Sequence, residues 1–200
     1  MIRFGVVAVL AAIGIGGCQQ APAVSAAEGP QAAPTSASAS APAAAQAQAQ
    51  FPGVSFDKAT GLQLRPCEGE VPRCVILSDP AAEEFLRDLF TVQVFAGPLE
   101  AVAAAEAGFE RDAEGRLMST YGRFEPVPVE TLRVNGQSGL RAVVTCGISD
   151  PETGFHAAGG ECLWAVVSDG KQSAVISSSG FGNGLEAAEA AVRSIRLSAD

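Results

Sequence analysis

From Gln19 to Gln50 the chain is almost entirely Ala, Pro, Ser and Gln, with Glu28 as its one charge and no aromatic residue. Such a stretch has too little apolar surface to offset the entropy of ordering it, so it reads as a flexible tether. Its coil span is roughly 30 Å and its extended limit about 100 Å. Pro34 and Pro42 act against helix in the Ala-Gln run that closes it. Folding is thereby confined to the residues beyond the tether. Aromatic and β-branched residues begin at Phe51, and turn signals then alternate with periodic segments, which sets the domain boundary there. The remaining ~150 residues form one domain, large enough to bury roughly 70% of their unfolded surface without a metal or a partner. No internal repeat is visible.

Ahead of the tether, Met1-Ile2-Arg3 leads into the apolar run Phe4 to Ile15 and then Gly16-Gly17-Cys18. This is the layout of a secretory signal peptide covering residues 1–17, and the run is too short for a membrane span of about 20 residues. Ile15-Gly16-Gly17-Cys18 resembles the bacterial lipobox. The resemblance implies that Cys18 receives a diacylglyceryl group and becomes the first residue of a mature lipoprotein. Each buried methylene adds about 0.8 kcal/mol, so one acyl chain holds marginally and two or three hold firmly. Gln19 stands where Asp is the familiar inner-membrane retention signal. By the same resemblance the protein is expected, in a Gram-negative source, at the outer membrane, facing the periplasm.

The net charge is −9 and becomes more negative once Arg3 leaves with the signal peptide. No Lys/Arg cluster is available to neutralise phosphates, which argues against nucleic acid and against anionic lipid head groups as partners. The membrane partner is therefore reached through the lipid alone.

Within residues 51–200, Asp79-Pro80 with Ala82, Phe85, Leu86, Leu89 and Phe90 at helical spacing predicts a capped helix whose apolar face is core. A second helix is expected from Pro98 to Ala107, stopped by Gly108, and a third from Leu185 to about Arg193 with Leu185, Ala188, Val192 and Ile195 on one face. Strands are expected at 116–124, 127–134, 139–148, 162–168 and 172–178, joined in a meander with turns at Asn135-Gly136 and Asp169-Gly170. Residues 162–167 are apolar on both faces, so both sides of that strand should be covered. The fold class is α+β, an antiparallel meander flanked by helices.

After Cys18 the chain keeps Cys67, Cys74, Cys146 and Cys162, an even number in an exported protein, which argues for two disulfides. Three connectivities are open. The spacing favours Cys67 with Cys74 across a short loop, and Cys146 with Cys162 between adjacent strands. Neither pair has the two-residue spacing of redox sites, nor do the four have zinc-ligand spacing.

His156, the only histidine, lies with Asp150, Glu152 and Glu161 in one loop. A metal site or a general base can be drawn from that set, but no second histidine completes it, and it reads better as a recognition loop. Ser179-Gly180-Phe181-Gly182-Asn183-Gly184 precedes a helix without the βαβ context of a phosphate cradle, and reads as a flexible connection. Glu83 and Glu84 suit the first turns of the expected helix and call for no catalytic role. No metal or cofactor is expected.

Leu132-Arg-Val-Asn-Gly-Gln-Ser-Gly-Leu-Arg-Ala-Val-Val-Thr145, the turn at Asp169-Gly170 and the closing Val192-Arg-Ser-Ile-Arg-Leu197 are similar to small exported domains of the Mog1/PsbP-like class. That resemblance implies an α/β/α sandwich and a binding, assembly or accessory role. It covers the C-terminal half better than the front, where the Cys67–Cys74 loop has no counterpart. Cys162-Leu-Trp-Ala165 also looks like a run in exported bacterial proteins, which implies a buried Trp164 beside a disulfide. The leading expectation is a non-enzymatic envelope lipoprotein that meets another envelope component through residues 147–161. The alternatives are a hydrolase or metal-dependent enzyme around His156, and a protective inhibitor of a toxin or lytic enzyme. The oligomeric state is left open.

Overall fold

The computed structural model describes residues 46–69, 71–121, 125–149 and 156–198, with backbone alone at 148–149 and 156–158. Residues 1–45, which include the expected leader, Cys18 and most of the expected tether, lie outside the described residues. In chain order the strands are β1 (Gln46–Phe51), β2 (Val54–Ala59), β3 (Gln63–Pro66), β4 (Cys74–Ser78), β5 (Asp88–Ala96), β6 (Phe109–Arg111), β7 (Leu117–Ser119) and β8 (Val127–Pro128). They continue with β9 (Glu130–Val134), β10 (Gln137–Ser149), β11 (His156–Ser168), β12 (Gln172–Ser178) and β13 (Arg196–Leu197). Helix α1 (Leu99–Glu106) follows β5, and helix α2 (Gly184–Ser194) follows β12.

The strands form a seven-stranded sheet in the order β3-β4-β5-β12-β11-β10-β9 and two three-stranded sheets, β1-β2-β13 and β6-β7-β8. Every pairing in the large sheet is antiparallel. Strands β9 to β12 form the expected meander, and β5 joins it by pairing with β12, a strand remote in sequence, while β4 covers its other edge. Asn135 and Gly136 both have positive φ, 50° and 81°, as a two-residue type I′ hairpin requires. Asn135 also donates from Nδ2 to the carbonyls of Ser194 and Ile195, fastening that turn to the end of α2.

Alternation along the central strands creates two cores. Leu163, Ala165 and Val167 of β11, Ala174 and Ile176 of β12, and Phe90, Val92 and Val94 of β5 pack with α2 and with Ala49, Val54 and Phe56 of the β1-β2-β13 sheet. On the opposite face Val166, Val175, Leu140, Ala142 and Val144 pack with Val102 and Ala103 of α1 and with Phe109. Both faces of β11 and β12 are thus buried, which is why their sequences carry apolar residues at successive positions. Full burial of each valine, leucine, isoleucine or phenylalanine among them contributes about 1.5–3 kcal/mol.

The structure corrects several expectations. The helix expected after Pro80 is a single 3-10 turn at Glu84–Leu86. Asp79 caps no helix: it accepts the Ala81 N–H at 2.9 Å in a local turn, the 3-10 turn begins after Glu83 without a side-chain cap, Phe85 is 71% exposed, and Leu89 and Phe90 are buried in β5. Two flanking strands satisfy the β5 backbone on both sides, and this outweighs a helical spacing of only a few residues. The front half, read as loops and helices, supplies β1 to β5. Strand β1 starts at Gln46, ahead of the first aromatic residue at Phe51: in β1 the glutamines face outward while Ala49, opposite Phe56, is buried. The small alanine leaves room for the ring. The expected strand 116–124 is found only at Leu117–Ser119, its residues 122–124 lying outside the described ones, and 127–134 is broken into β8 and β9. Residues 179–184, expected to be flexible, are tightly packed at Gly180 and Gly184. A single meander flanked by helices becomes three sheets carrying two helices.

At one end of the large sheet Asp88 accepts hydrogen bonds from Arg65 and from Ser78, whose own side chain is buried. Desolvation works to raise the Asp88 carboxyl, but the Arg65 and Ser78 hydrogen bonds and the charges of Arg65 and Arg87 outweigh it, leaving its pKa below the ordinary range. A carboxyl depressed in the folded state stabilises at pH above its unfolded pKa of about 3.9, and that stability is lost as pH falls through the folded value. Thermal melts of Asp88→Asn should therefore show a smaller loss of Tm on acidification below about pH 4 than the parent chain, and a lower Tm at neutral pH. Parallel acid profiles would remove this assignment.

Candidate functional site

Strands β10 and β11 are the longest in the domain, and their far ends leave the sheet. β9 pairs with β10 only from Gln137 to Arg141, and β12 pairs with β11 only from Trp164 to Ser168. Beyond those points β10 and β11 continue together to Ser149 and His156, forming a two-stranded arm. The register slips between Thr145 and Gly147, and Cys146, in that bulge, is joined to Cys162 with 5.7 Å between Cα atoms. The other disulfide, Cys67–Cys74, closes the β3–β4 connection. Gly180 crosses directly over Gly159, Gly160 and the Cys146 sulfur, and Phe181 lies beside Gly159. The arm is therefore held at its base by a covalent bridge and a backbone crossing, both on the main sheet.

The recognition loop expected from sequence maps to this arm. Glu161 lies on β11 opposite Thr145 and is exposed, and His156 is opposite Ser149 further out. Asp150 and Glu152 lie outside the described residues. Trp164, expected to be buried, is half-buried: it shares a face with Cys162, and the Tyr121 ring, 45% exposed, meets it at a centroid distance of 4.5 Å. Among the described residues no three His, Cys, Asp or Glu side chains are gathered as metal ligands, and no helix is long and apolar enough to cross a membrane.

A second feature was missed by sequence reasoning. An open groove of about 860 Å³ runs between α1, the β6-β7-β8 sheet and the edge formed by β9 and β10. Leu99, Ala103, Phe109, Leu117, Val129 and Leu140 give it an apolar bed, and Thr131, Arg133 and Ser138 line its sheet wall. Glu100, Glu110 and Arg111 stand on the opposite wall. Arg111 donates to the Gly115 carbonyl, and the same β6–β7 turn is pinned by Asp112, which accepts the Glu114 and Arg116 N–H groups and the Arg116 guanidinium. Desolvation works to raise the Asp112 carboxyl, and these bonds with Arg116 outweigh it, holding its pKa low.

No protein-family model matches this sequence, and no curated protein matches it. Among solved structures, a protein from Bacteroides thetaiotaomicron is similar over 74% of this chain and 46% of its own, with 8% identity and a TM-score of 0.44. The chain thus spans about half the length of that protein. Cyanobacterial PsbP from Synechocystis sp. is similar over 78% of this chain and 94% of its own, with 13% identity and a TM-score of 0.48. At such identities neither says what this chain does.

The signal for the groove was the alternation of β9 itself. Thr131 and Arg133 occupy the positions opposite in phase to the inward-packing Leu132 and Val134. Sequence pattern marks them as facing away from one core. It does not show that α1 and β6 stand over the face they occupy, because that placement is set by tertiary packing.

Proposed function

We propose that this chain is a non-enzymatic, lipid-anchored binding module of the bacterial cell envelope. In this reading acyl groups on Cys18 tie it to the outer membrane, and residues 19–45 let the domain reach into the periplasm toward an envelope protein. The large sheet packs α2 on one face and α1 on the other. The observation that carries the proposal is the arm. Two strands pinned by Cys146–Cys162 and by the Gly180 crossing extend past their neighbours and present backbone edges that no strand of the sheet covers. Free strand edges held on a rigid base accept an added strand from a partner, with main-chain hydrogen bonds giving affinity.

The test is site-specific photo-crosslinking in living cells. A photoreactive residue at Glu161 is expected to yield one dominant adduct with an envelope protein, and the adduct should fade when Cys18→Ser removes the anchor. The same group at Glu186, exposed on α2, serves as the reference. Equal adduct patterns from both positions, or none from Glu161, would overturn the arm as the partner surface.

A further inference from the structure

The groove has two unlike walls, and the difference specifies a ligand. In the register of β9 with β10, Arg133 is paired with Ser138 and Thr131 with Leu140, so a guanidinium and two hydroxyl side chains occupy neighbouring positions on the groove wall. None of these three side chains has a hydrogen bond or ion pair among the described residues. Four other arginines pair with carboxylates, Arg65 with Asp88, Arg116 with Asp112 and Glu114, Arg141 with Glu130 and Glu189, and Arg193 with Glu189, whereas Arg111 and Arg196 donate to backbone carbonyls. What marks Arg133 is its company: two hydroxyl side chains in neighbouring register positions and an apolar bed beside it.

The charges also set a direction. Glu100, Glu110 and Arg111 line the wall built by α1 and β6, two carboxylates against one guanidinium that donates to the Gly115 carbonyl, so that wall is net negative, whereas the β9 wall carries Arg133 and no carboxylate. Between the two runs the aliphatic and aromatic bed. Small-molecule sites of this kind, roughly 300–1,000 Å³, bind through apolar contact and orient through a few polar groups. An arginine meeting a carboxylate forms two parallel charge-assisted hydrogen bonds.

We propose that this groove binds a free anionic amphiphile, a long-chain fatty acid, with its carboxylate at Arg133, Thr131 and Ser138 and its chain on the bed from Leu140 to Leu99. The ligand is free rather than esterified in a bilayer, since the wall opposite Arg133 is net negative, Glu100 and Glu110 outnumbering Arg111. The site stands apart from the β10–β11 arm, so either assignment can fail without the other.

The experiment is isothermal titration of the full chain carrying Cys18→Ser, which removes its own acyl groups. The titrants are palmitate below its micelle concentration and, as the uncharged counterpart, hexadecanol. Palmitate is expected to bind at one site. Arg133→Gln should weaken palmitate roughly 10–100-fold, the range for losing hydrogen bonds to a charged group, and leave hexadecanol unchanged. Ala104→Trp, on the exposed side of α1 within the groove, should abolish both while the melting temperature holds. No saturable palmitate binding, or equal palmitate affinity in Arg133→Gln, would overturn the proposal. Binding only to vesicles of anionic phospholipid would overturn it in favour of a membrane surface.

Discussion

Phe56→Ala is expected to destabilise the domain by about 3–5 kcal/mol, the range for truncating a fully buried phenylalanine. Phe56 is fully buried in β2, opposite Ala49 of β1, and its ring meets that of Phe90 on β5 at a centroid distance of 5.7 Å. It therefore joins the small β1-β2-β13 sheet to the large one, in a core that also contains Ala188, Ala191 and Val192 of α2. In a domain of this size the loss lowers Tm by roughly 10 °C or more. Phe85→Ala is the internal reference. Its ring is 71% exposed, so its removal should change stability by less than about 0.5 kcal/mol. If Phe85→Ala proved the more damaging, residues 80–90 would be packed as the helix that their spacing suggests, and β5 would be misassigned.

That contrast shows where the sequence could be read and where it could not. Around Phe85 two patterns overlap. Phe85, Leu86, Leu89 and Phe90 fall at helical spacing behind the Asp79-Pro80 turn, while Phe90, Val92 and Val94 alternate as a strand does. The choice is made by β4 and β12 on either side of β5, contacts remote in sequence that no local window contains. α1 and α2 were legible because each is bounded by its own stop signal, Gly108 at φ +60° after α1 and the Gly182-Asn183 turn before α2. β12 was legible because Asp169-Gly170 fixes its start: Asp169 accepts the N–H groups of Lys171 and Gln172. β1 was hidden by composition. Its Ala-Gln repeat continues the tether in kind, and only the facing Phe56 makes alanine the fitting residue there. The arm was foreseeable from the cysteines and the Gly-rich stretch between them. The groove was not, since Arg133 looks in sequence like any outward arginine on an edge strand.

Gly180→Ala should be the most damaging single-methyl addition in the domain, at least about 3 kcal/mol, the upper end of overpacking costs. A Cβ at this position would occupy the space of the Gly159 carbonyl and the Cys146 sulfur. One is backbone of a paired strand and the other is half of a disulfide, so neither can swing aside as the tip of a flexible side chain would. Contrast Gly170, where a Cβ meets nothing within 4 Å and only the φ of +94° opposes alanine, a penalty of about 1 kcal/mol. Melting curves should thus separate Gly180→Ala from Gly170→Ala by several degrees. A Gly180→Ala chain that fails to fold while Gly170→Ala folds gives the same answer. Equal Tm values for the two would mean that residues 179–184 do not cross the arm closely. A parent-like groove in a Gly180→Ala chain that still folds would locate the damage at the arm base. There the Glu161 crosslink should be lost while palmitate affinity is kept, because Arg133 is carried by β9 and the crossing by β11.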